Sequence, residues 1–158
     1  MTQKGFTLLE VIVAIFILTV GAGASFALIS QAIGSTSLIE QRLVAAYLSQ
    51  EGLEIVKNLR DKALLEGRSW DYYLTEGNWQ VDFTSQNLDP YNDTPLKINT
   101  VNGFYNYSSG DSTMFKRKIV ISEKTADKMK ILIQTQWQEK GRSHQLEVVE
   151  YITNWYAR

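Results

Sequence analysis

The chain has 158 residues, no cysteine, one histidine, two prolines and a formal net charge of −1. Without thiols there is no disulfide framework, no thiolate metal site and no cysteine nucleophile. One histidine cannot build a polyhistidine metal centre, and it leaves Ser-His chemistry a single candidate base, His144. That residue falls beside an expected hairpin turn and reads as a surface or rim position. Neither a Walker A sequence nor GxGxxG is present. Balanced charge gives no overall pull toward a polyanion. No internal repeat or low-complexity tract is seen. The chain therefore reads as a non-enzyme, and no cofactor or metal is expected. Asp89, Asn92 and Asp93 carry oxygen donors of the kind calcium takes, but they lack EF-hand spacing and sit beside Pro90 as turn residues do.

Strong polarity is also scarce from Leu8 to Ile33, where Glu10 and Gln31 are the strongly polar residues among apolar ones and three small hydroxyls. As a helix this run reaches about 39 Å at ~1.5 Å per residue, beyond a hydrocarbon core of about 30 Å. Lys4 on the short side predicts a cytoplasmic N-terminus. A carboxylate at bilayer depth costs roughly 2.5–3.5 kcal/mol, so Glu10 requires an explanation. A secretory signal peptide is one reading, with Ala22-Gly23-Ala24 as its small-residue cleavage site. A plain single-pass anchor is another. Neither accounts for Glu10.

The arrangement Lys4-Gly5-Phe6-Thr7-Leu8-Leu9-Glu10 resembles the processing site of type IV prepilins and pseudopilins. The resemblance implies cleavage after Gly5 by a prepilin peptidase and N-methylation of the new terminus, Phe6. It implies a charge pair between the Phe6 amine and the Glu10 carboxylate of a neighbouring subunit. Such a pair is strong at low dielectric, and an unpaired carboxylate there penalises wrong register. It further implies a filament-core helix carrying Leu8, Leu9, Val11, Ile12, Ile15 and Phe16. The implied partners are other pilin subunits and an inner-membrane assembly platform; the charge balance does not favour nucleic acid and leaves Lys116-Arg117-Lys118 as the one spot open to phosphate contact. The implied location is the bacterial inner membrane, as a single-pass protein, and then a cell-surface filament. Members of this family often have a proline near the middle of the helix. Here Ala27 lies in that neighbourhood and no proline precedes Pro90, so any bend must come from Gly21 and Gly23.

Gly34-Ser35-Thr36-Ser37 is a polar break, after which the pattern turns amphipathic. Leu38, Ala45, Leu48, Gly52, Ile55 and Leu59 form the apolar stripe of a helix ending near Gly67. The expected segments are a leader at 1–5, a membrane and filament-core half-helix at 6–33, an amphipathic half-helix at 34–66, a loop-rich middle at 67–113 and a sheet at 114–158. In the middle, Trp79–Phe83, Leu96–Thr100 and Phe104–Tyr107 are strand candidates. Its aromatic residues read chiefly as a small core beneath loops. The alternative function is a membrane-anchored or secreted ligand- or adhesin-binding module that uses them as an exposed patch.

From Met114 the chain alternates with period two, in runs containing Phe115–Ile121, Met129–Trp137 and His144–Asn154. The short connection Glu139-Lys140-Gly141-Arg142 joins the last two. This predicts an antiparallel meander with one face on the helix, an α+β fold. Lys116-Arg117-Lys118 is the one basic cluster, and alternation points Arg117 away from its neighbours. Tyr47–Val56, and Ile133–Trp137 with Tyr151–Trp155, are similar to segments of PilV-like minor pilins and type II secretion pseudopilins.

Overall fold

Helix formers without proline make Leu8–Leu65 a single α-helix, α1. The structure, a computed structural model, describes residue 5 and residues 7–156. The helix stops at the glycine expected to end it. Gly67 takes φ 69°, its N–H donates to Leu64 O at 3.0 Å, and the Arg68 N–H donates to Ala63 O at 2.9 Å. This double closure needs a left-handed residue, which glycine adopts without steric cost.

The chain divides into two units, Met1–Gln41 and Arg42–Arg158. In the first, α1 runs through Gly21, Gly23 and the Gly34–Ser37 break without interruption. The polar break is a change of composition and not of backbone.

In the second unit, antiparallel strands β1 (Gly77–Gln80), β2 (Asp89–Pro90), β6 (Lys116–Ser122), β7 (Lys128–Glu139) and β8 (Arg142–Thr153) form a five-stranded sheet in the order β2-β1-β6-β7-β8. A smaller sheet orders β4 (Tyr105–Asn106), β3 (Lys97–Ile98) and β5 (Asp111–Ser112). The β7–β8 turn places Lys140 at φ 49° and Gly141 at φ 76°, with Glu139 opposite Arg142. Two left-handed residues match the twist of a two-residue hairpin. Gly110 lies against β3 at φ 107°, where a Cβ would come within 2.2 Å of Ile98 O. Only glycine fits there.

Alternation decides the core. Arg117, Ile119 and Ile121 of β6 and Met129, Ile131, Ile133, Thr135 and Trp137 of β7 are buried, while their neighbours face outward. Leu53, Val56 and Leu59 of α1 join Ile119, Ile131 and Ile133 in one cluster. Each fully buried aliphatic side chain contributes about 1.5–3 kcal/mol. The helix face differs in detail from the expected stripe. Ser49, Leu53, Val56 and Ala63 are buried, and Ile55 only partly.

The expected strand Trp79–Phe83 ends earlier, at Gln80. Asp82 bends the chain by accepting the Thr84 N–H at 2.9 Å and the Thr84 hydroxyl at 2.6 Å. Such local side-chain bonds compete with a strand ladder.

Candidate functional site

The first unit is built around the start of α1. Thr7 stands just before the first helical residue and Glu10 three places on. Thr7 Oγ1 accepts the Glu10 N–H at 3.3 Å, and Glu10 Oε2 accepts the Thr7 N–H at 3.3 Å. This is a capping box, which satisfies two helix-terminal donors reciprocally. The Thr-x-x-Glu spacing was its signal in the sequence, and reading Glu10 as one half of a charge pair between subunits passed over it. Placed at the N-terminal end of the helix, the carboxylate also faces the positive end of the helix dipole.

Beyond it, the candidate packing residues Leu8, Leu9, Val11, Ile12, Ile15 and Phe16 are all exposed, from 45% at Val11 to 80% at Leu8. The apolar character continues around the helix, with Val13, Ile17 and Leu18 exposed as well. Two of the hydroxyls in this stretch are satisfied by the helix itself. Thr19 donates to Phe16 O and Ser25 to Gly21 O, each at 2.9 Å. Internal satisfaction is what a hydrocarbon environment demands. By length and composition α1 can cross a membrane, and its most apolar window has no residue buried within the chain. Gly5 is exposed. Phe6, on which the expected cleavage, methylation and charge pair converge, lies outside the described residues.

The second unit places the remaining candidates. Of the basic cluster, Arg117 is fully buried. Its Nη1 donates to Leu48 O at 2.7 Å and to Glu51 Oε2 at 3.2 Å, and its Nη2 donates to Val81 O at 2.5 Å. Gly52 makes room: a Cβ there would meet Arg117 Cδ at 3.0 Å. Arg117 therefore ties the helix, β6 and the segment after β1 together. Lys116 pairs with Asp93 at 2.8 Å. The cluster is thus divided between an interior strut and an outward ion pair.

That ion pair bears on the calcium candidate too. The Lys116 ammonium holds the Asp93 carboxyl below the usual carboxylate range, helped by the Tyr91 hydroxyl at 2.7 Å. Asn92 Oδ1 accepts from the Thr94 N–H and hydroxyl. These oxygens close a turn, and no group of three or more metal-ligating side chains is found among the described residues.

Asp82 is the second buried charge. Burial pushes its carboxyl up, but donors from Thr84, Tyr107 and Ser85 outweigh it and leave it below the usual range. Burial pushes the Tyr107 phenol up, and its hydroxyl donates to Arg117 O at 3.1 Å.

The middle-region aromatics divide. Trp70 is buried and donates its indole N–H to Ala126 O at 3.0 Å. Tyr72, Phe83 and Phe104 are exposed, the two phenylalanines in contact at 5.0 Å between ring centres. His144 sits on β8 opposite Trp137, the rings stacked at 5.4 Å.

No curated protein and no solved structure gives a significant match to this chain. A family model does match the segment built around Gly5, Thr7 and Glu10. Residues 1–26 fit the prokaryotic N-terminal methylation motif, and the chain therefore carries the type IV pilin and pseudopilin signal.

Proposed function

We propose that the chain is a structural subunit, a minor pilin or pseudopilin of the PilV-like kind, in a type IV pilus or type II secretion-like filament. The observation that carries this reading is the methylation motif at residues 1–26 leading directly into an exposed apolar helix with Glu10 at its head. The motif points to a structural protein rather than an enzyme. With the apolar helix, it is consistent with a membrane-anchored protein. In this reading a prepilin peptidase cuts after Gly5, and Phe6 becomes the methylated terminus. The Phe6 amine then meets the Glu10 carboxylate of a neighbouring subunit, and Leu8–Ile33 passes from bilayer to filament core. Leu43 and Tyr47, each more than half exposed on α1, offer further apolar surface to other subunits. The N-terminus faces the cytoplasm until an inner-membrane platform extracts the subunit.

Intact-mass analysis of the protein from its native host tests the reading. The expected result is loss of residues 1–5 with one methyl group on the Phe6 amine. Cleavage after Ala24, or an uncut chain, sinks it.

A further inference from the structure

The five-stranded sheet ends differently at its two edges. On one side β2 has two residues, one of them Pro90, and offers almost no ladder. On the other side β8 runs for 12 residues and pairs with β7 alone. It contains neither proline nor lysine, the residues that commonly guard an edge. Its register with β7 is continuous from Lys128↔Thr153 to Glu139↔Arg142, so no bulge turns it away. Among the described residues, no strand or loop backbone bonds to its far side.

The hairpin sets which groups face outward. In a two-residue hairpin the closing pair, Glu139 and Arg142, exchanges both ladder bonds, and such pairs recur at every second residue. His144, Leu146, Val148, Glu150 and Ile152 therefore direct their N–H and C=O groups to β7. Gln145, Glu147, Val149 and Tyr151 direct theirs away from the sheet. All four are exposed, Val149 at 52%.

An apolar row on the outer face reaches the same edge. Val120, Leu132 and Val149 stand directly opposite one another on β6, β7 and β8. A second copy laid antiparallel along β8, with the two-fold axis at Val149, continues this row into its own Val149, Leu132 and Val120. That register sets Glu147 opposite the second copy's Tyr151, and Leu146 opposite its Ile152 on the inner face. Registers centred on Glu147 or Glu150 would set like carboxylates against each other, which is destabilising. A two-fold contact requires a self-complementary surface, and the row at Val149 with its flanking Glu147 and Tyr151 supplies one. We propose that two copies of this chain pair edge to edge through β8, antiparallel and centred on Val149, to make one continuous sheet. No residue of α1 takes part, so the contact is independent of helix-mediated assembly.

The test uses the full-length chain in an excess of detergent micelles. Because the chain has no cysteine, Val149→Cys and Asp89→Cys each carry a single thiol. Asp89 lies on the short edge strand β2. A short bis-maleimide should link Val149→Cys into a dimer, since Cα atoms of a hydrogen-bonded antiparallel pair lie about 5.5 Å apart. Asp89→Cys should stay monomeric. In sedimentation the unsubstituted chain should show a concentration-dependent dimer. Val149→Lys sets two ammonium groups opposite each other and should lose that dimer with unchanged melting, because the side chain is half-exposed. Three results overturn the proposal. One is a monomer at every concentration, which leaves β8 to a different partner or to none. Another is equal cross-linking of the two cysteine variants. The third is a dimer that survives Val149→Lys, which assigns association to another surface.

Discussion

Two charged side chains sit among apolar neighbours in different regions of this chain. Arg117, in the second unit, is fully buried and donates to two main-chain carbonyls and one carboxylate. Glu10, at the head of α1 in the first unit, is exposed; the bonds found for it are to Thr7. The same elementary cost, a charge in low dielectric, is met inside the chain in one case. In the other it is left to the surroundings, because an exposed apolar helix finds its final dielectric only in a bilayer or against other molecules. The core of one region is closed by its own residues, while the described apolar residues of the other are exposed.

The largest effects break this contrast at its two ends. Glu10→Ala should abolish recovery of the subunit in sheared filaments while membrane insertion persists. Thr7→Ala removes the same capping box but keeps the charge, and it should incorporate normally. Equal loss in both variants would reduce Glu10 to a helix cap. At the other end, Arg117→Ala should lower stability by about 3–5 kcal/mol, the cost of stranding a buried partner set, read by denaturant melting. Gly52→Ala should cost about 1 kcal/mol by pressing on Arg117. In an Arg117→Met background the sign should reverse, because alanine's helix preference of about 1 kcal/mol over glycine is then unopposed. An unchanged Gly52→Ala effect in that background would separate the two residues.

Acid should reach the second unit through Asp82. Its carboxyl is held below its ordinary value of 3.8, so its stabilisation is present above that value. The contribution is lost as pH falls through the lower folded value. Asp82→Asn should lower stability at pH 7 by about 1–3 kcal/mol, since the Tyr107 N–H loses its acceptor. It should also flatten the acid limb of a melting-versus-pH curve. Parallel acid limbs in the two proteins would remove Asp82 from the account.

The smallest effect belongs to the half-exposed pair Lys57–Glu150, at 3.0 Å. The hydrogen bond to Glu150 is the main cause of the raised Lys57 ammonium pKa. The contribution is therefore present below 10.5 and lost as pH rises through the folded value. Glu150→Gln should cost about 0.5 kcal/mol and less at high salt. A change above 2 kcal/mol would mean that this exposed pair behaves like the buried one.

Much of this was legible because local patterns report directly on local backbone. The 58-residue helix follows from the apolar run, the amphipathic stripe after Leu38 and the absence of proline before Pro90, and its end from Gly67. The three long strands follow from period-two alternation, and the tight hairpin from Lys140-Gly141. The resemblance of Lys4–Glu10 to prepilins was legible as a motif, and the methylation-motif match covers the same residues. The capping box was written in Thr7 and Glu10 but was obscured by the apolar run behind them.

Other features had no local signal. Arg117 reads as the middle of a basic triplet, and alternation only turns it away from its neighbours. Its role depends on Leu48 and Glu51, more than sixty residues earlier, and on Val81, reached through the packing of α1 on β6. Nor does alternation tell an edge strand from an inner one. β7 and β8 alternate alike, and only the strand order leaves β8 at the rim. By itself, then, the sequence determined what is written in local pattern: the apolar helix, the N-terminal methylation motif, the alternating strands and the glycine turns. Tertiary structure alone decided which charge is buried, which aromatics are covered and which strand is left at the sheet edge. Those depend on contacts between residues far apart in sequence, which no periodicity encodes.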